Sequence, residues 1–411
     1  MSDMYKALLT GIIGIAGLMA CSSEVSNRDI KIPSQKLILD NKQIKIRADM
    51  ILALEEYANA DLKSGYKGYY AQSLSMAGRA DIPFFDKVLK DPRNICKVVD
   101  NQNFDEPIKS LMSAVKEHTL VIINEDHKMP RDRAFILEFL KALRAEGFTH
   151  YAAETFQENI TNSDPKFSVS GDGYYSNEPI YGRLLTYVKQ AGFKLVAYEQ
   201  TDIQRAPEGA TMDERINYRE NAQRDNLIAT VLEANPSTKM VIHVGHSHVA
   251  EIPIKRRNSN NGTKWMAARL KEKTDINPLT ISQTACRSTT VSSVVSSDVH
   301  KEDNTTVTTY TDYAIGHAPL TFSKKRPNWR RTMGDMEVAI PSSFTSFAEP
   351  VLIEARPEKL PDSTVPVDRV LIREGEGEIP LLLPSGSYRI EAFNKEGRLG
   401  DIEYLTVSEP E

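Results

Sequence analysis

Cysteine and tryptophan are scarce in this chain of 411 residues, with three and two copies. No Cys-x-x-Cys pair occurs, so a zinc knuckle and a dithiol redox motif are both excluded as local motifs. Positive charge is not in excess: 51 Lys and Arg stand against 56 Asp and Glu, for a net charge of −5. With no basic tail either, the composition argues against nucleic acid as a partner. No apolar run spans a bilayer comfortably. What remains is a 40% hydrophobic content, enough for a substantial core and more than one domain.

The first twenty residues read as a targeting segment. Lys6 is followed by an apolar run from Ala7 to Ala20, and Leu18-Met19-Ala20-Cys21 sets small residues before a cysteine. This resembles a bacterial lipoprotein signal with its lipobox. The resemblance implies lipidation at Cys21, and Ser22-Ser23 lacks the Asp associated with inner-membrane retention, which implies an outer-membrane, periplasm-facing anchor. Residues 21–43 form a polar tether, and residues 44–117 a mainly helical N-terminal extension, with helices expected at Ala48–Lys63 and Glu106–Glu117. Cys96 and Cys286 are left as a disulfide or as two free thiols; their spacing does not decide between these.

Chemistry concentrates in residues 118–285. Leu120-Val121-Ile122-Ile123 is a β-branched run suited to a strand buried on both faces, and it leads into Asn124-Glu125-Asp126-His127. A helix follows over Arg131–Ala145, with Phe135, Leu137, Leu140 and Leu143 on the apolar side and Gly147 as the stop. Tyr151–Glu154 and Lys194–Glu199 are two more short strands ending in acids, the latter after a helix over Pro179–Ala191. Asp213–Asn235 is a long helix with an N-cap candidate at Asp213, and its Arg215, Arg219 and Arg224, which need not share one face, are expected mostly in solvent. Lys239–His248 then opens a fourth strand, with Gly245 as a sharp exit. Three of the eight histidines fall there: His243 is expected as a hydrogen-bonded core residue, His248 as a site residue, and His246 is undecided.

Alternating strands and helices predict an α/β fold with a mainly parallel sheet and flanking helices. Ligands gather beyond the carboxyl ends of such strands, where Glu125, His127, Glu154, Glu199 and Gly245–His248 all fall. The polar segment Asn159–Asn177, with Tyr174 and Tyr175, is placed to serve either as a lid or as an ordinary surface loop.

Glu125-Asp126-His127 resembles the Glu-x-His of the Gly-Glu-x-His motif in the superfamily of erythromycin esterases, Tiki and TraB-type proteins and ChaN-type haem-binding lipoproteins. Glu154 matches the acid of that superfamily's next strand, and Gly245-His246-Ser247-His248 its Gly-x-x-His; Asn124 replaces the usual first glycine. The resemblance covers about Thr119–Gln283 and implies hydrolysis of ester or amide bonds in a small-molecule or peptide substrate. One route has Glu125, His127, Glu154 and His248 holding manganese, cobalt, zinc or iron. The other has His127 as base, Glu154 orienting it, and His248, Arg131 or Arg133 stabilising the oxyanion. A third places the nucleophile at Ser247. The non-enzymatic alternative is haem or iron binding through exposed tyrosines at Tyr174, Tyr175 and Tyr181.

Residues 286–335 are expected to form an irregular connection containing the basic turn Lys324–Arg331. Short β-like runs from 336 to 411 predict a small all-β module.

Overall fold

A computed structural model describes residues 71–82, 96, 107–160, 165–254, 262–288, 292–296, 310–344, 350–394 and 397–409. The expected signal segment, Cys21, the tether and the helix at Ala48–Lys63 lie outside the described residues. Two compact units divide the chain, one containing residues 107–176 and 180–319, the other 177–179 and 320–409 with 71–82. Among the described residues no helix is long and apolar enough to cross a membrane.

The first unit begins with helix α1 (Pro107–Val115) and strand β1 (Leu120–Glu125), then α2 (Pro130–Ala145), β2 (His150–Ala153), α3 (Pro179–Gln190), β3 (Lys194–Ala197), α4 (Met212–Leu227), β4 (Met240–Gly245), α5 (Met266–Thr274), β5 (Leu279–Ser282), β6 (Ser293–Ser296) and β7 (Tyr313–Gly316). The strands form one sheet in the order β3-β2-β4-β1-β5-β7-β6. Every pairing is parallel except that of β6 with β7. This is the predicted α/β class. It extends further than expected, because β6 and β7 lie in the stretch read as irregular.

Local sequence explains the elements. β1 and β4 are buried along their whole length, as central strands covered on both faces must be. Pro130 starts α2, where a missing N–H costs nothing, and Gly147 follows it at φ +86. Helix α4 is capped by Thr211, not Asp213: the Thr211 hydroxyl accepts from Glu214 N and the Glu214 carboxylate accepts from Thr211 N. It runs on into a wider turn over Ile228–Leu232. Cys96 and Cys286 are joined in a disulfide across 190 residues, which resolves the pairing left open.

Register decides which groups meet. Glu125 lies opposite Gly245, and Ala153 lies opposite both His243 and Ala197. The carboxyl ends of β3, β2, β4 and β1 are therefore adjacent on one edge of the sheet.

The second unit contains the predicted β-rich module. Strands β11 (Val351–Pro357), β12 (Asp368–Ile372), β14 (Gly386–Phe393) and β15 (Arg398–Val407) form an antiparallel sheet, order β12-β11-β14-β15, and β13 (Leu381–Leu383) pairs with β10 (Met336–Val338). Earlier in this unit, β8 (Phe322–Ser323) and β9 (Arg326–Pro327) make a small hairpin followed by α6 (Asn328–Thr332). The basic turn is only partly solvated. Arg326 and Arg330 are buried and converge on Asp368, Arg326 through Nη2 at 2.6 and 2.7 Å and Arg330 through Nη1 at 3.0 Å.

Candidate active site

Glu125 is the most heavily bonded group at the sheet edge. Its Oε2 accepts from Arg133 Nε at 2.7 Å and from His243 Nε2 at 3.0 Å; its Oε1 accepts from Arg133 Nη2 at 2.7 Å and from His127 Nδ1 at 2.8 Å. Burial alone raises a carboxyl pKa, but the Arg133 and His243 charges and these bonds outweigh it and hold Glu125 well below its usual range. The two-bond Arg133 contact is the strong geometry for an arginine–carboxylate pair. Arg133 is itself fully buried, with its guanidinium 5.3 Å from the Tyr181 ring centroid and 5.8 Å from that of Tyr175. Glu125 and Arg133 are therefore spent on each other and on the two histidines.

His127 stands between two acids. Its Nδ1 faces Glu125, and its Nε2 lies 3.1 Å from Glu154 Oε1, an ion-pair contact rather than a well-aligned hydrogen bond. Burial would lower the histidine pKa, but pairing with Glu125 and Glu154 overcomes it and raises the value to about 9. The two carboxylates thus favour the protonated ring. Tyr175 stacks on its face with ring centroids 3.9 Å apart and planes 11° from parallel. That tyrosine is set by Thr155 Oγ1, which accepts from its backbone N–H, and in the same segment the Asp172 carboxylate pairs with Lys189 at 2.8 Å. In its described part, the segment expected as lid or surface loop thus supplies a packed wall.

The Glu154 side chain is only 6% exposed, yet neither carboxylate oxygen has a well-formed hydrogen bond. Desolvation works against its charge, but His127 chiefly, with Arg219, holds it ionised far below the usual carboxylate range. Its Oε2 faces Arg219 Nη2 at 3.8 Å and His248 Nε2 at 4.0 Å.

Arg219, one of three arginines of which most were expected in solvent, enters this group from α4. It donates from Nε to Glu199 Oε1 at 3.0 Å and from Nη2 to Glu199 Oε2, and its Nη1 donates to His248 Nε2 at 2.9 Å. Since a guanidinium only donates, His248 Nε2 accepts, and His248 Nδ1–H points at Glu220 Oε2, 2.9 Å away. His248 is therefore bonded at both nitrogens, with Trp265 edge-on beside it. Glu220 and Gln223, which donates to Glu199 at 3.0 Å, also went unrecognised in the sequence. The available signal was the helix itself: α4 carries Arg219, Glu220 and Gln223 within little more than a turn, and a polar helix that packs must turn some of these groups inward.

Around this centre the other expected residues divide. His243 is the buried, hydrogen-bonded residue expected, its Nδ1 2.7 Å from the Tyr151 hydroxyl, and it is also a partner of Glu125. His246 has φ +39, and its side chain is 36% exposed, the nearest carboxylate being Asp126 at 4.0 Å. Asn124, in place of glycine, donates to the His246 carbonyl at 2.5 Å and to Thr284 Oγ1 at 2.8 Å, and accepts from Gln283 N at 2.6 Å. Arg131 is turned away from the cluster and donates to the Ala318 carbonyl. Ser247 sits in the short turn His246–Val249, and Ala250 after it is extended, so the helix a serine elbow requires is absent. Tyr175 and Tyr181 are buried, Tyr181 stacked on His243, and neither is the exposed ligand the haem alternative called for; Tyr174 is half-buried.

The four residues expected to hold a metal do not fit one. Both oxygens of Glu125 are taken by Arg133, and both nitrogens of His248 by Glu220 and Arg219. Among the described residues no group of three or more His, Cys, Asp or Glu is placed to bind a metal ion.

No known family profile and no curated protein matches the sequence. Solved structures resembling the chain include one described as bacterial protein toxins, at 14% identity and TM-score 0.31, covering 59% of this chain and 56% of that one. The RRSP effector domain of a MARTX toxin from Vibrio vulnificus matches at 15% identity and TM-score 0.30, over 59% of this chain and 55% of that one. The C-terminal region of Pasteurella multocida toxin, described as having a thiol-protease-like catalytic triad, matches at 11% identity and TM-score 0.29, over 86% and 57%. The chain thus spans a little over half the length of these structures, and likeness at this level assigns no activity.

Proposed function

We propose that this protein hydrolyses ester or amide bonds without a metal, with Glu154 as the general base and His127 as the fixed cation that orients it. The observation that carries the reading is the placement of Glu154: its carboxylate stands against His127, and its Oε2 is without a hydrogen-bond donor and directed toward Arg219 and His248. A buried polar atom left without a partner is the usual mark of a group reserved for a ligand.

In this mechanism a water held at Glu154 Oε2 attacks the substrate carbonyl. Its proton passes to Glu154 as the new C–O bond forms. The tetrahedral centre then expels an alkoxide or amine, which takes that proton back from Glu154. His127 replaces no proton in the cycle; it keeps the carboxylate charged and aligned, while Glu125 and Arg133 fix the imidazolium from beneath. The base is therefore Glu154 and not His127, whose two nitrogens both face carboxylates. The likeness to the erythromycin esterase and Tiki superfamily supports the same bond classes, and the lipobox-like Leu18–Cys21 supports a lipid-anchored, periplasm-facing location.

The test is a screen of the purified protein against aryl esters and a peptide library, repeated with Glu154→Gln. Hydrolysis lost in this variant, at unchanged thermal stability, is the expected result. Equal hydrolysis by Glu154→Gln and the wild type would overturn the reading.

A further inference from the structure

Arg219 is placed as no other cation of the site is. Arg133 is sealed beneath Glu125, and Arg131 is turned to the Ala318 carbonyl. Arg219 alone among these faces Glu154 Oε2, and its side chain is 17% exposed against 6% for Glu154. A guanidinium has five N–H bonds. Two of those on Arg219 go to Glu199 and one to His248, so one N–H on each of Nη1 and Nη2 is not spent on a hydrogen bond among the described residues.

The separation of Nη2 from Glu154 Oε2, 3.8 Å, is too long for a hydrogen bond. A cation and a carboxylate this close normally collapse into contact. Here Glu199 grips Arg219 at two atoms, Gln223 steadies Glu199, and His248 holds Nη1, so the guanidinium is fixed short of Glu154. The result is a donor and an acceptor held side by side, 3.8 Å apart and not bonded to each other.

Resting on the hydrolase reading above, we propose that Arg219 is the oxyanion-binding residue of this site. The attacking water stands on Glu154 Oε2, and the carbonyl oxygen of the scissile bond stands on the unspent Nη hydrogens of Arg219. As water adds, the carbonyl π electrons move onto that oxygen, and the negative charge that develops meets a cation already oriented. A donor that needs no reorganisation at the moment of reaction favours the transition state over the bound substrate. Glu199 and His248 act through Arg219, as its positioning partners.

The experiment compares wild type, Arg219→Gln, Arg219→Lys and Glu154→Gln in two assays. The first measures kcat and KM on aryl esters. The second measures binding of 4-nitrophenyl methylphosphonate, a stable anion with the tetrahedral shape of the addition intermediate, through the fluorescence of Trp265 beside His248. Loss of one oxyanion donor lowers kcat by about 10²–10³-fold with little change in KM, and Arg219→Gln is expected in that range. Arg219→Lys keeps the charge without the fork and is expected to recover part of both signals.

Arg219→Gln is expected to bind the phosphonate at least about tenfold more weakly, while Glu154→Gln keeps its binding and loses hydrolysis. Three results overturn the inference: phosphonate binding by Arg219→Gln equal to wild type, no phosphonate binding by wild type, or a raised KM with kcat unchanged. Failure of the hydrolase reading is seen separately, as full activity in Glu154→Gln.

Discussion

Gly245 leaves room for His127. A Cβ built on Gly245 would lie 2.4 Å from His127 Nε2 and 2.8 Å from Glu154 Oε1, closer than any side chain tolerates. The glycine was expected to make a sharp exit from its strand, but its φ of −91 is open to any residue. Its requirement is space, created by the register that sets it opposite Glu125.

Gly245→Ala is accordingly expected to force His127 and Glu154 apart. Overpacking of this kind costs about 1–3 kcal/mol, read as a lower denaturation midpoint. Hydrolysis should fall further than that loss of folded protein explains, because the displaced pair is the proposed base. A Gly245→Ala protein with wild-type stability would show that the ring and carboxylate can move aside.

Arg133 and Glu125 illustrate a different dependence. Removing one member of a buried pair leaves an unpaired charge and costs about 3–5 kcal/mol. Arg133→Met should therefore be strongly destabilised in denaturant unfolding. The double variant Arg133→Met with Glu125→Leu should recover much of the loss, because no isolated charge remains. If the double variant is as unstable as the single, Glu125 is held by His127 and His243 more than by its arginine.

The strands of the core were legible because each carries a strong one-dimensional pattern. Leu120–Ile123 and Met240–Ile242 are apolar without alternation, as strands covered on both faces are, and their polar ends marked the sheet edge where Glu125 and His127 lie. The residues missed share the opposite property. Arg219 lies on a helix with little apolar stripe, and Arg326 and Arg330 sit in a basic run whose acceptor, Asp368, is about 40 residues further on. A row of charges does not reveal which of them has a partner. The same limit hid the saturation of Glu125: its position at a strand end was visible, its four donors were not.

Asn124 offers a test of how the end of β1 is held. Its side chain ties the end of β1 to the His246 carbonyl and to the Gln283–Thr284 turn after β5. Asn124→Gly removes these bonds and leaves the buried N–H of Gln283 without its acceptor, a loss of about 1–3 kcal/mol. Hydrogen exchange should be fastest to change at residues 246–248 and 283–284. Unchanged protection there would mean that the backbone alone holds the two turns.

The charge on His127 makes the last prediction, and its sign follows from the two states of the chain. In the folded protein the ring titrates at about 9, against an ordinary value of 6.5. The folded state thus binds the proton more tightly than the unfolded chain, so the stabilisation is complete below 6.5 and declines as pH rises, until it is gone above 9. A shift of this size corresponds to roughly 3 kcal/mol. The stability difference between wild type and His127→Gln should therefore narrow by about that amount between about pH 6 and pH 10. Glu154 has the opposite sign: its depressed value contributes stability above the ordinary carboxylate range that is lost as pH falls through the folded value. Hydrolysis should follow the histidine limb, declining as pH rises through about 9, since loss of the imidazolium removes the charge that orients Glu154. A stability difference that stays flat over this range would mean that His127 is neutral in the folded protein, and the base would then have to be sought on the ring itself.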